Sequence, residues 1–364
     1  MTPRRSRTSL RLYLAGAYTL LVIYASLYPM SAWHDSGTFP LDFLTAPWPR
    51  YTTLFDISTN IFAYFPFGFL WFAAFKRQLP NSPSSTRLAW LAWFLASLLG
   101  GMLSFSMEFI QTYLPSRVPS NLDLVSNSVG ALLGASAGLR WAALLDATHL
   151  NRWRDELVLR AEGTEFGLLL LGGWLLTQLS PESLVFGSGN LRQMLGLPPA
   201  QPFLAERFID IEAAIASAGF LAAALIATLI FRLPNLQRRF ILCAALLTLA
   251  VALKALAYAL LMGPADAFLW ITPGNSAGIA AGLLVWGVAT LLSARVQQAI
   301  AALALLLATV MVNLAPENPY LANTLQIWNP GHFLNFNGLT RLVCSLWPFL
   351  ALTWLMLYRP ERSH

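Results

Sequence analysis

The sequence predicts an all-α fold, a polytopic transmembrane helical bundle, from three observations. The 364 residues are 57% hydrophobic and only 11% charged, against about 25% charged in soluble domains. Mean hydropathy is +0.58. Apolar stretches of about 18 residues or more recur along the chain, each long enough for a membrane span.

Ten spans are expected, at about 12–30, 57–75, 88–113, 123–145, 164–180, 207–231, 240–262, 276–293, 299–314 and 341–358. The first, preceded by Arg4, Arg5 and Arg7, is read as an uncleaved helix, because its apolar run is too long for a signal peptide. With both termini cytoplasmic, 17 of the 23 Lys and Arg fall in inside segments. Only Arg50, Arg117, Arg192, Arg207 and Arg341 fall outside, and Lys254 lies within a span. That bias follows the positive-inside rule from end to end. The polar stretch after span four divides the chain into a four-helix domain (1–146), a cytoplasmic connector (147–163) that suits a short surface helix, and a six-helix domain (164–364).

The net charge of +6 does not point to nucleic acid, since the basic residues are scattered over loops without a basic face or a binding motif. The two cysteines, Cys243 and Cys344, fall near opposite membrane faces and cannot pair. The four histidines lack metal-ligand spacing, and no cofactor or metal site is expected. There is no P-loop, HExxH or nucleophile elbow.

Depth sorts the remaining polar residues. Asp56 opens span two, and Asn60 follows one turn later on the same face. Glu108 and Gln111 share a face near the outer end of span three, with Glu108 about 8 Å inside it. A tight loop stiffened by Pro115 and Pro119 carries Arg117. Asp123 and Asn127 then open span four. Seven polar groups thus gather in the outer layer of three consecutive helices, where they face one another or water rather than lipid. Gly130, Gly134 and Gly138 repeat every four residues, the small-xxx-small pattern of close helix packing. Pro66 is expected to kink span two near Phe62. Taken singly, Asp56 and Asp123 suit helix starts and Arg117 an ordinary loop; taken together, the set favours a functional site over a packing network.

These residues resemble the VanZ-like family of integral membrane proteins. The resemblance rests on Asp56, Asn60, the Pro66-Phe67-Gly68 triplet, Glu108, Gln111, Arg117, Asp123, Asn127 and Gly130, in the family's order, and covers about residues 12–145. It implies a bacterial inner-membrane protein of the cell envelope, and at family level only a link to low-level resistance to the glycopeptide teicoplanin. The family pattern does not extend over the last six spans.

In the C-terminal half, Lys254 within span seven has the depth to reach Glu212 near the start of span six. The outer loop around Trp328, His332, Phe333, Asn335, Phe336, Asn337 and Arg341 suits interfacial anchors or a cap. The loop over 181–207 has the character of a lid or a re-entrant segment.

Three functions follow. In the first, the protein acts on or binds an envelope lipid, glycolipid or glycopeptide-type ligand at the outer leaflet. Glu108, Asp123 and Asp56 are then the candidate acid–base groups, and Asn60, Gln111, Arg117 and Asn127 hold the ligand. A transporter or flippase needs a polar path toward the inside as well, and the polar groups lie mainly in the outer layer, which counts against it. A non-catalytic assembly or accessory protein needs only a packing network. The expected partners are membrane lipids and a lipid-linked or glycopeptide-type ligand, with no nucleic acid.

Overall fold

A computed structural model describes residues 10–35, 37, 39–49, 53–78, 85–141, 156–159, 161–319 and 334–359. The described residues are helical, with a single isolated bridge between Val158 and Phe231 and no strand. The helices are α1 (Leu10–Leu27), α2 (Leu54–Gln78), α3 (Ser85–Gln111), α4 (Asn121–Arg140), α5 (Thr164–Thr177), the one-turn α6 (Leu191–Met194), α7 (Ala205–Ile230), α8 (Leu236–Leu261), α9 (Pro273–Ala289), α10 (Ala294–Leu314) and α11 (Leu334–Leu357).

Eight of them are long and apolar enough to cross a membrane: α1 to α4, α7, α8, α10 and α11. The two other expected spans are shorter helices. α5 stops at Thr177, after 14 residues, and α9 runs for 17 from Pro273. Most of the connector expected at 147–163 lies outside the described residues, as do Arg50, Trp328, His332 and Phe333 and the side chains of Asn335, Phe336 and Asn337.

The chain divides into two compact units, Met1–Trp153 and Arg154–His364. In the first, α4 packs along α2 and α3, and α1 lies mainly on α2. The glycine face predicted for α4 is the reason α2 comes so close. A methyl group on Gly134 would sit 1.9 Å from the Phe65 carbonyl oxygen, and one on Gly130 2.4 Å from that of Ile61. Gly68 answers from α2, facing the Ala131 backbone. α2 stays helical through Pro66. Trp90, Leu91, Phe94, Leu98, Met102 and Phe105 of α3 are exposed at helical spacing, a lipid-facing stripe for a membrane helix.

In the second unit, α7 is the central element. Its Ala-rich run from Ala216 to Ala227 is almost wholly buried, with α9 and α10 along it and α5 against it. The small side chains explain the fit: α9 presents Gly274, Gly278 and Gly282 to the α7 backbone at Ile209, Ala213 and Ser217. After α5 the chain runs non-helical but buried from Gln178 to Gly189, with Gln178, Ser180, Phe186 and Ser188 each at most 2% exposed. The part of the expected lid or re-entrant loop up to Gly189 is thus covered by the bundle. Irregular backbone at membrane depth requires such cover, because its carbonyls have no water to bond. Lys254 supplies part of it, as its Nζ donates to the carbonyls of Ser180 (2.8 Å) and Ser183 (2.6 Å) and to Ser183 Oγ (3.2 Å). Three acceptors match the three protons of an ammonium. The expected reach of Lys254 to Glu212 is not made: Glu212 accepts instead from the Thr272 hydroxyl.

Candidate functional site

The seven polar residues read from the sequence gather at one end of the first unit, where α1 and α3 finish and α2 and α4 begin. The local starts of α2 and α4 use one pattern, a hydroxyl residue followed three positions later by Asp. At α2 the pattern closes on itself. Thr53 Oγ1 accepts from the Asp56 N–H (3.2 Å), and Asp56 Oδ2 accepts from the Thr53 N–H (3.0 Å) and hydroxyl (2.8 Å). This is a reciprocal capping box with Asp as its acid, and Asp56 is exposed.

At α4 the same box is completed from another helix. Ser120 Oγ accepts from the Asp123 N–H (3.4 Å), but the Ser120 N–H donates to Glu108 Oε2 of α3 (2.8 Å). Asp123 is thereby released from capping, and its Oδ1 accepts from Asn60 Nδ2 across to α2 at 2.9 Å. One turn deeper, Asn127 Nδ2 donates to Ser104 Oγ of α3 at 3.0 Å. Glu108 is 2% exposed, Asn127 7% and Ser104 0%, so α2, α3 and α4 share one interior polar layer.

Gln111 and Arg117 face the end of α1. Gln111 Nε2 donates to the Ser26 carbonyl (2.8 Å). Arg117 donates through Nε and Nη2 to the Tyr28 carbonyl and through Nη2 to that of Ala25. A guanidinium on the last carbonyls of a helix meets both their open lone pairs and the negative end of its dipole. Burial pulls the Arg117 guanidinium below its ordinary value, and the nearby Glu108 carboxylate draws it back up. The α1–α2 connection covers this end: Asn121 Nδ2 donates to the Ala46 carbonyl, the Thr112 hydroxyl to that of Pro40, and Phe43 packs near Phe105.

Several oxygens of this layer are left open. Glu108 Oε1 and Asp123 Oδ2 hold no hydrogen bond among the described residues, and Asn127 Oδ1 is buried without a partner. Tyr64 Oη, buried among Ser104, Ser26 and Glu108, makes no well-formed hydrogen bond either. Tyr64, Ser104 and Ser120 are the members that sequence reasoning missed. Each left a signal: Tyr64 is one turn after Asn60, Ser104 one turn before Glu108, and Ser120 occupies the cap position before Asp123. The described residues contain no group of His, Cys, Asp and Glu able to hold a metal ion. What the layer offers chemically is two carboxylates and an amide oxygen, all acceptors, beside a phenol.

An all-helical chain with eight helices fit to cross a bilayer is a multi-pass membrane protein. Its residues 12–142, which span α1 to α4 and every member of the polar layer, match the model of the VanZ/LLP1 family. The protein therefore carries a VanZ/LLP1 domain in its N-terminal third, followed by a further set of apolar helices. No curated protein and no solved structure matches the chain.

Proposed function

We propose that the VanZ/LLP1 domain binds the polar headgroup of an envelope lipid or glycolipid, or a glycopeptide-type ligand, in the layer formed by Asn60, Glu108, Asp123 and Asn127. The observation that carries this reading is Glu108. A carboxylate 2% exposed, with one backbone N–H as its partner, is costly to keep unless something else satisfies it. Asp123 and Asn127 add open acceptors beside it, so the ligand brings donors: hydroxyls or amides.

In this reading Glu108 and Asp123 hold or move protons on the ligand, and Asn60 and Asn127 orient it. Gln111 and Arg117 act as positioning residues, because their hydrogen bonds fasten the end of α1. Asp56 serves α2 as a cap. The positive-inside bias supports an orientation with both termini cytoplasmic in a bacterial inner membrane, which puts the layer at the outer leaflet. The family match over residues 12–142 and the two compact units support a VanZ-like domain at 1–146, a connector at 147–163 and a separate helical domain at 164–364.

Native mass spectrometry of the full chain released gently from its membrane tests the reading. A retained envelope lipid, lost in Glu108→Gln and Asp123→Asn while folded protein is unchanged, supports it. If both variants chiefly lower the yield of folded protein, the layer is a packing network, the reading that the Asn60–Asp123 and Asn127–Ser104 bonds between helices favour. Labelling of single cysteines near Arg117 from outside the cell checks the orientation.

A further inference from the structure

The second unit contains a cavity of about 360 Å³, within the size range of small-molecule sites. Its polar lining comes from Ser183, Glu212, Tyr258, Trp270, Thr272 and Asn275, with Asn318, which has an interaction of its own, at the edge of the set. Glu212, Trp270 and Asn275 are 6%, 8% and 4% exposed. Thr272 ties the site together, since its hydroxyl donates to Glu212 Oε2 (2.8 Å) and accepts from the Asn275 N–H (3.1 Å). Asn275 Nδ2 donates to the Trp270 carbonyl at 2.9 Å, which fixes how the amide is turned. Its Oδ1 is then left buried without a partner among the described residues, as is Trp270 Nε1. Tyr258 Oη and Glu212 Oε1 hold no hydrogen bond among the described residues.

This open set selects among ligand chemistries. Glu212 Oε1 and Asn275 Oδ1 accept, Trp270 Nε1 only donates, and Tyr258 Oη does either. An ammonium brings donors alone and leaves the indole N–H unmet. An anion meets the Glu212 carboxylate. A hydroxyl donates and accepts at once, so several hydroxyls on one small frame satisfy all four groups, with the Tyr258 and Trp270 rings as apolar walls. The neighbours of Trp270 indicate the source: Phe268, Leu269 and Ile271 are 66%, 56% and 53% exposed. Bulky apolar side chains exposed where α8 gives way to α9 suit contact with a bilayer.

We propose that this cavity binds the neutral polyhydroxyl headgroup of a membrane lipid, with Glu212, Tyr258, Trp270 and Asn275 contacting its hydroxyls. The site is independent of the one in the VanZ/LLP1 domain. The test uses the full chain in nanodiscs of phosphatidylethanolamine doped with monoglucosyl diacylglycerol, read by native mass spectrometry. The expected result is retention of one glucosyl lipid per chain in preference to phosphatidylethanolamine. Asn275→Leu lowers that retention about tenfold, the effect of one lost buried hydrogen bond. Tyr258→Phe lowers it severalfold and removes only a hydroxyl with no partner among the described residues, so it keeps the test readable if Asn275→Leu does not fold. Equal retention of the two lipids, or equal retention by the wild type and Tyr258→Phe, overturns the proposal. Glucose alone binding as tightly as the glucosyl lipid overturns the lipid source.

Discussion

In the first unit α4 lays Gly130, Gly134 and Gly138 against α2, and in the second α9 lays Gly274, Gly278 and Gly282 against α7. Each ladder has a buried asparagine near its N-terminal end with an unpartnered amide oxygen, Asn127 in one and Asn275 in the other. Each unit also buries a glutamate on a neighbouring helix: Glu212 lies against Gly274 of the second ladder, and Glu108 of α3 bonds the Ser120 N–H at the start of α4. The difference lies in what surrounds them. The first unit adds a second carboxylate, Asp123, released because Glu108 has taken over the cap of α4. The second adds aromatic walls and a cavity. Close backbone packing without bulky side chains leaves both places where a polar group can be held inside a bundle. The neighbours decide whether it becomes an acid-rich layer or a walled pocket.

Breaking the ladders at their tightest and their loosest rung gives the largest expected effect. A methyl group at Gly134 lands 1.9 Å from a backbone oxygen, and at Gly282 its nearest neighbour is 3.0 Å away. Gly134→Ala forces α2 and α4 apart and is expected to destabilise the first unit by about 3 kcal/mol or more, at the upper end of overpacking costs. Gly282→Ala is expected to cost about 1 kcal/mol or less. Thermal unfolding of the purified variants, followed by helical circular dichroism, measures the contrast. Equal losses would mean that clearance does not set the tolerance of these ladders.

Next in size is Lys254. Lys254→Met leaves the carbonyls of Ser180 and Ser183 buried without their donor, and an unmet buried polar group costs about 1–3 kcal/mol. The buried non-helical stretch from Gln178 to Gly189 is expected to loosen first, seen as faster hydrogen exchange there than in α7. Exchange that rises equally throughout the second unit would assign Lys254 to global packing instead.

The bundle was legible in the sequence because hydropathy needs only local information. The polar layer was legible too, since Asn60, Glu108, Asp123 and Asn127 fall at one depth under a single choice of orientation. Their roles were not. Asp56 and Asp123 share the same local pattern, and only Glu108, contributed by another helix, turns one into a cap and leaves the other open. The glycines of α9 repeat every four residues as those of α4 do, but no charged residue on α9 marks a site beside them. Depth alone matches Lys254 to Glu212, whereas the non-helical stretch after α5 offers it the carbonyls of Ser180 and Ser183.

Glu108 separates local capping from ligand chemistry. Glu108→Gln keeps an acceptor for the Ser120 N–H and is expected to change stability by less than about 1 kcal/mol, while Glu108→Leu strands that N–H and costs about 1–3 kcal/mol. If Gln is as damaging as Leu, the charge itself holds the layer together, and the capping role is secondary. The paired melting curves of the two variants decide it.

The smallest effect belongs to Ser104→Ala. It removes the acceptor of Asn127 Nδ2 and adds no bulk, and hydrogen bonds between membrane helices average about 0.6 kcal/mol. The stability change should therefore be close to that figure, far below the cost of Gly134→Ala at the contact of α4 with α2. Its value lies in the second readout. Asn127 loses its anchor while its open oxygen remains, so retention of a bound lipid by native mass spectrometry should fall more than stability does. A loss of stability without any change in retention would place the Ser104–Asn127 pair with the packing of α3 on α4 and narrow the binding layer to Asn60, Glu108 and Asp123.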